Sequence, residues 1–349
     1  MNRKTPIVAF VAHGAVAWVE RMLVPLDWMR AWGYRLAAPI AAPLYANRAR
    51  RVIWLGSLLV IGAFCLTLLV PLWLLALGPV LLGVPHLLSD LRYLVVRPGL
   101  HRQPRLWAVA PLVLAVGVGG GPMVGVCAML PAILAAGGAR VRKGVLLGSW
   151  AVLTGIAFFS PMGFQRVFLH IHNIIAVILW WWWRPRCGVD WIVPGWVLLG
   201  SIALLGGAAE PMLNRFGGWT APWTGQSFSD YVDQIAPLTD ENLALRGVLL
   251  FCFLQAVHYS MWLRLIPEDD RPRPAPRPFR SSWRALLEDF GTWPLFLVGG
   301  LAILVVGWAV VDLPGARLSY LQVAAGHGYL EIAAMTYFFA NERRALQRF

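Results

Sequence analysis

Two short patterns in this sequence place a carboxylate four residues after a histidine, His86-x-x-x-Asp90 and His327-x-x-x-Glu331. On a helix that spacing puts both side chains on one face. Two further stretches, His170-x-His172-Asn173 and Gln255-x-x-His258-Tyr259, add imidazoles and a phenol. Imidazole is the commonest metal ligand, and several histidines with one or two carboxylates from facing helices are what an iron or related site in a helical bundle requires. Asp90 and Glu331 can complete such a ligand set, or orient His86 and His327 by accepting their other ring N–H. A single histidine of this kind reads more simply as a hydrogen bond between helices. His86, His258 and His327 together, with two paired acids, read as a metal or cofactor site.

These residues lie within an unusually apolar chain. Of 349 residues, 58% are hydrophobic and 13% charged, half the charged share of a soluble domain. The apolar residues form runs long enough to cross about 30 Å of hydrocarbon as helices, and no dyad alternation marks a barrel. The expected fold is therefore all-α, a polytopic transmembrane helical bundle. About ten spans can be drawn, at 52–70, 74–95, 106–118, 121–137, 145–159, 166–183, 192–208, 246–266, 292–311 and 320–340. Spans three and four are short enough to form one re-entrant pair instead.

The net charge of +13 raises the question of nucleic acid, but the positions of the 30 basic residues answer it. With ten spans, 26 of the 30 fall on one side and four on the other. The positive-inside rule then places both termini in the cytoplasm of a cell inner membrane, and nucleic acid is not needed to explain the charge. The expected divisions are a cytoplasmic or interfacial segment at 1–51, a transmembrane domain at 52–340 and a cytoplasmic tail at 341–349. Within the transmembrane domain, 209–245 is an extracytoplasmic loop and 267–291 a cytoplasmic linker. Residues 5–45 suit an interfacial helix. Residues 3–19 have a signal-like outline, but His13 interrupts a short core, so retention is expected. Cys65, Cys127, Cys187 and Cys252 form no C-x-x-C pair and read as small apolar residues. Trp180 to Trp183 before Arg184 reads as an interfacial aromatic belt, Arg92 as a side chain reaching the headgroups. The loop at 209–245, with Trp219, Trp223, Phe228 and Tyr231, is a candidate lid, and Thr239-Asp240-Glu241 is expected to start a helix that Pro267 stops.

Histidine thus occurs in the second, sixth, eighth and tenth spans, all running from outside to inside. Counted from the cytoplasmic landmarks Arg97, Arg184, Pro267 and Asn341, the histidines lie about 14 to 21 Å deep at 1.5 Å per residue, so the four can meet near mid-membrane. His170 and His172 are about 200° apart on a regular helix; both can bind one metal only if that helix unwinds, and His172 is the preferred ligand. His13 and His101 fall outside the spans.

Gly83-Val84-Pro85-His86-Leu87-Leu88-Ser89-Asp90 resembles the G-x-P-H-x-x-x-D segment of the Brp/Blh family, membrane enzymes that cleave β-carotene to retinal with histidine-held iron. The resemblance covers eight residues and implies His86 as an iron ligand with Asp90 beside it. In that family the segment lies nearer the N-terminus and its middle is typically Gly-Ala-Leu.

Three functions compete on these grounds. The leading expectation is a membrane oxidoreductase of the dioxygenase kind, with non-haem iron on His86, His172, His258 and His327. It would act on a lipid-soluble substrate such as a carotenoid, another isoprenoid or an acyl chain, with Tyr259, Glu331 or Asp90 assisting proton transfer. A haem-binding electron-transfer or haem-modifying protein would use the same histidines as axial ligands. A proton-coupled transporter would use them as a relay, though no inverted repeat is evident.

Overall fold

The computed structural model describes residues 6–39, 42, 44, 47–184, 189–216, 226–238, 240–270 and 276–342. Among them there is no strand, and every one of the ten apolar stretches coincides with a helix. The helices are α1 (Pro6–Leu36), α2 (Arg48–Leu69), α3 (Pro71–Asp90), α4 (Val109–Gly117), α5 (Gly121–Cys127), α6 (Met129–Ala135), α7 (Arg140–Phe159) and α8 (Pro161–Trp183). They continue with α9 (Ile192–Leu205), α10 (Glu210–Phe216), α11 (Phe228–Ile235), α12 (Glu241–Ser260), α13 (Ile266–Asp269), α14 (Phe279–Phe290), α15 (Thr292–Val311) and α16 (Leu313–Ala340).

Six helices are long and apolar enough to cross a bilayer: Arg48–Leu69, Pro71–Val96, Arg140–Phe159, Pro161–Trp183, Glu241–Asp269 and Thr292–Val311. Three apolar helices are shorter, Pro104–Gly117, Gly121–Ala135 and Ile192–Leu205. α16 matches the six in length and not in apolar content, because it carries Gln322, His327 and Glu331 in its middle. On α15 the outward residues Ile303, Val310 and Val311 are 73%, 84% and 88% exposed. An apolar face that bare is stable against lipid and not against water. The chain is a membrane protein.

α16 is the central post. It packs on α3, α4, α6 and α15, while α12 packs on α2, α3, α8 and α9. Glycine lets these helices close on one another. A Cβ at Gly83 would stand 2.3 Å from the Tyr320 ring, and one at Gly326 would stand 2.3 Å from the Val113 carbonyl. Two π-helical turns interrupt the long rods, Leu91–Val96 after α3 and Met261–Leu265 after α12. Such turns mark functional sites in many helices.

The end of the bundle that carries Arg51, Arg92, Arg97 and Arg184 is an ion-pair belt. Arg51 holds Glu268 through Nε and Nη2 at 2.9 and 2.7 Å, and Arg97 pairs with Asp270 at 3.4 Å and with Asp289 at 2.9 Å. Arg92, expected to reach the headgroups, is instead buried, and its Nε donates to Asp289 at 2.6 Å. The tryptophan run also departs from expectation. Trp180 and Trp183 turn inward, Trp180 donating to Asp269 at 2.9 Å and Trp183 packing edge-on to Trp262 and Phe338. A helix presents four successive residues to all sides, so a run of four cannot lie wholly at the surface.

α1 forms as one helix and docks on α14: Arg284 grips Glu20 at 2.7 and 3.0 Å, and Arg280 pairs with Asp27 at 3.0 Å. Trp18, Trp28 and Trp32 on α1 are exposed, as an interfacial helix requires. Asp240 caps α12 through the Leu243 amide at 2.8 Å, and the rod passes Pro267, which stands in the first turn of α13 where no amide is needed. Cys65, Cys127 and Cys252 are free thiols. Cys187, Trp219, Trp223, Thr239, 271–275 of the linker and 343–349 of the tail lie outside the described residues.

Candidate metal centre

The four histidine-bearing helices α3, α8, α12 and α16 bring their imidazoles to one place. His86 Nε2 and His327 Nε2 are 3.2 Å apart. Ring centroids are separated by 4.9 Å for His172 and His258, 5.1 Å for His172 and His327, and 5.4 Å for His86 and His258. One ligand atom from each of His86, Asp90, His258 and His327 lies within 4.8 Å of the others. His170 does not join them; its Nε2 lies 3.3 Å from the Ile235 carbonyl and its ring meets Phe251 edge-on. α8 stays regular through this stretch, so the two histidines diverge as the helical period demands. Gly328 leaves room for Phe168 beside His172, since a Cβ there would stand 3.1 Å from Phe168 Cζ.

Local hydrogen bonds select which ring nitrogens face the centre. His172 Nδ1 lies 3.1 Å from the Leu169 carbonyl, and His327 Nδ1 meets the Ala324 carbonyl. A carbonyl can only accept, so each Nδ1 carries the proton and each Nε2 keeps its lone pair. Two imidazole nitrogens bound to one metal at about 2.1 Å stand about 3.0 to 3.4 Å apart for right-angled to tetrahedral ligation. The His86–His327 separation falls in that interval.

The remaining polar atoms are costly unless something binds them. Both Asp90 oxygens, both His258 nitrogens, His86 Nδ1 and Glu331 Oε2 are buried with no hydrogen-bond partner. An unsatisfied buried polar atom costs about 1 to 3 kcal/mol, so several gathered together need a common partner. Glu331 Oε1 is held by Trp262 Nε1 at 2.9 Å and lies 3.8 Å from His258 Nε2. Trp262 is itself fixed from behind, its carbonyl accepting from Ser89 Oγ at 2.5 Å. Tyr259 sits on the other flank, its ring 4.7 Å from that of His86.

A cavity of about 430 Å³ opens beside the histidines, lined by His86, His172, His258, His327, Tyr259 and Arg317 together with Phe168, Phe251 and other apolar groups. That is the size of small-molecule sites in general. α11 contributes to its wall through Gln234 and Ile235, and Tyr231 of the same helix is buried. Ser227 and Asp230 cap α11 reciprocally. Arg317, Trp262, Ser89 and Tyr320 were not singled out by sequence. Arg317 sits near a span boundary, where an arginine reads as a headgroup contact, and only the i+4 acid at Glu331 hinted at a partner such as Trp262.

Compared with protein-family models, with curated proteins and with solved structures, the chain matches none.

Proposed function

We propose that this chain is a membrane oxidoreductase that holds non-haem iron inside its bundle and acts on a lipid-soluble substrate, an isoprenoid or an acyl chain. The observation that carries the proposal is the convergence of four imidazoles from four helices around buried, unpartnered nitrogen and carboxylate atoms. His86, His172, His258 and His327 would hold the metal, with Asp90 beside them. Iron, when bound, would supply the activation of oxygen towards an apolar carbon. The protein's own residues do the rest. Trp262 fixes Glu331 with its carboxyl 3.8 Å from His258 Nε2, where its charge can act on that ring. Tyr259 and Glu331 can each hold or release a proton at the edge of the cluster. The aromatic groups of the cavity wall would receive an apolar chain.

The eight-residue resemblance to the β-carotene-cleaving family supports the same reading. So does the close approach of His86 to His327, which leaves no gap between those two rings for a porphyrin. For the topology we propose ten spans in a cell inner membrane, with both termini cytoplasmic, since the ion-pair belt and the basic connections share one end.

Elemental analysis with a visible spectrum, on detergent-purified protein beside the His258→Ala variant, tests the function. Iron without a Soret band, lost in a variant that stays folded, is the expected result. A Soret band would transfer the site to haem chemistry, and full metal content in the variant would remove His258 from the ligand set.

A further inference from the structure

Arg317 is 2% exposed in the wall of the cavity. Its Nε donates to the Leu75 carbonyl at 2.9 Å, its Nη1 donates to Gln234 Oε1 at 3.2 Å, and its guanidinium lies 4.8 Å over the Tyr231 ring. None of these partners is an anion. Burial pushes the Tyr231 phenol above its usual range, so it stays neutral. Among the described residues no carboxylate pairs with Arg317, and none lines the cavity. A guanidinium removed from water without a counter-charge is strongly disfavoured, and burying it beside an open cavity is economical only if a ligand brings the charge. Tyr320 adds a buried hydroxyl with no partner to the same wall.

We infer that Arg317 binds the anionic end group, carboxylate or phosphate, of an amphiphilic substrate whose apolar chain runs through the cavity to the histidines. This deepens the proposed function and rests on it for the role of the far end. Two rulers give the length. Arg317 and His327 are ten residues apart on α16, about 15 Å, and Leu75, which Arg317 grips, is eleven residues from His86 on α3, about 16 Å. Both side chains on α16 lean towards its N-terminus, which preserves the spacing. An extended chain with 1.52 Å bonds at 111° advances about 1.25 Å per bond, so the carbon presented to the imidazoles lies about twelve bonds from the anionic group. A plain hydrocarbon such as β-carotene offers Arg317 nothing.

The test is binding of palmitate, methyl palmitate, hexadecyl phosphate and inorganic phosphate to the full chain in non-ionic detergent at mildly alkaline pH, by calorimetry. Palmitate and hexadecyl phosphate should bind at least about tenfold tighter than the ester, the scale of a charge-assisted hydrogen bond. Arg317→Gln should abolish that preference. Gln234→Glu, which keeps Arg317 and supplies it with an internal counter-ion, should abolish it too and covers the case in which Arg317→Gln does not fold. Equal binding of acid and ester, or a preference that survives both substitutions, would overturn the inference. Inorganic phosphate competing as well as hexadecyl phosphate would also overturn it, by showing an anion site with no use for the chain. A protein that holds iron yet shows no preference refutes only the anion site. A preference that depends on Arg317 in a protein with no metal refutes the iron reading and leaves the anion site standing.

Discussion

His86 and His327 stand 241 residues apart in the chain and bring their Nε2 atoms to 3.2 Å in the middle of the bundle. The contact joins α3 to α16 at the level where His172 and His258 also arrive, so one cross-link there would tie four helices. Metal binding is then also folding energy. Chelation is expected to lower the unfolding temperature of the wild type and to leave a His86→Ala, His327→Ala double variant unchanged. Differential scanning fluorimetry with and without chelator checks this; an equal shift in both proteins would separate stability from the histidines.

The indole N–H of Trp262 acts on the centre through Glu331. Trp262→Phe removes the 2.9 Å hydrogen bond and keeps most of the ring. Losing a hydrogen bond behind a ligand typically weakens metal affinity about 10- to 100-fold. A competition titration against a metal indicator should show that loss beside a destabilisation of about 1 to 3 kcal/mol from the Glu331 oxygen left without a donor, whereas undiminished affinity would reduce Trp262 to a packing residue.

Gly83 is required by the Tyr320 ring at its back, not by backbone conformation. Gly83→Ala is expected to destabilise by about 1 to 3 kcal/mol through overpacking. Gly148→Ala, where nothing lies within 4 Å of the added carbon, should be neutral or stabilise by up to about 1 kcal/mol through helix propensity. Detergent thermal melts of the two variants side by side decide it.

The docking of α1 on α14 depends on pH and salt. The hydrogen bond from Arg284 is the main cause that holds the Glu20 carboxyl below its ordinary value of 4.5. A depressed carboxylate contributes fully above its unfolded value and loses the contribution as pH falls through the folded one. Amide protection in α1, taken relative to the intrinsic exchange rate at each pH, should therefore be high at neutral pH and fall as the pH drops below 4.5. High salt should lower it too, since the pair is exposed and screened.

The proposed ten-span topology requires an extracytoplasmic loop after Phe216 and a cytoplasmic chain terminus. A periplasmic phosphatase reporter is expected to be active when inserted within 217–225 and silent after Phe349. Activity at Phe349 would demand an odd number of crossings.

The helices and the histidine centre were legible because both follow from periodicity. Apolar runs of membrane length have only helical solutions, and equal depths on parallel spans imply meeting. His172 was separable from His170 by angle alone. What sequence could not show depends on rotation about each helix axis. The inward turn of Trp180 and Trp183, the pairing of Arg92 with Asp289 and the burial of Arg317 against Leu75 all require knowing which neighbour stands at that azimuth. Composition gives depth along a span and not direction around it. The two π turns were equally hidden, because no residue type demands an i to i+5 bond.

Those turns have a further consequence. Each falls between a histidine of the cluster and an arginine or acid of the ion-pair belt: His86 and Asp90 before Leu91–Val96, with Arg97 after it, and His258 before Met261–Leu265, with Glu268 after it. A residue added to one turn of a rod rotates everything beyond it. The face each rod shows to the histidine cluster and the face it shows to the belt are thus not those that an unbroken α-helix would present, and the added rotation lets one rod aim imidazoles inward at one level and its belt residue inward at the next.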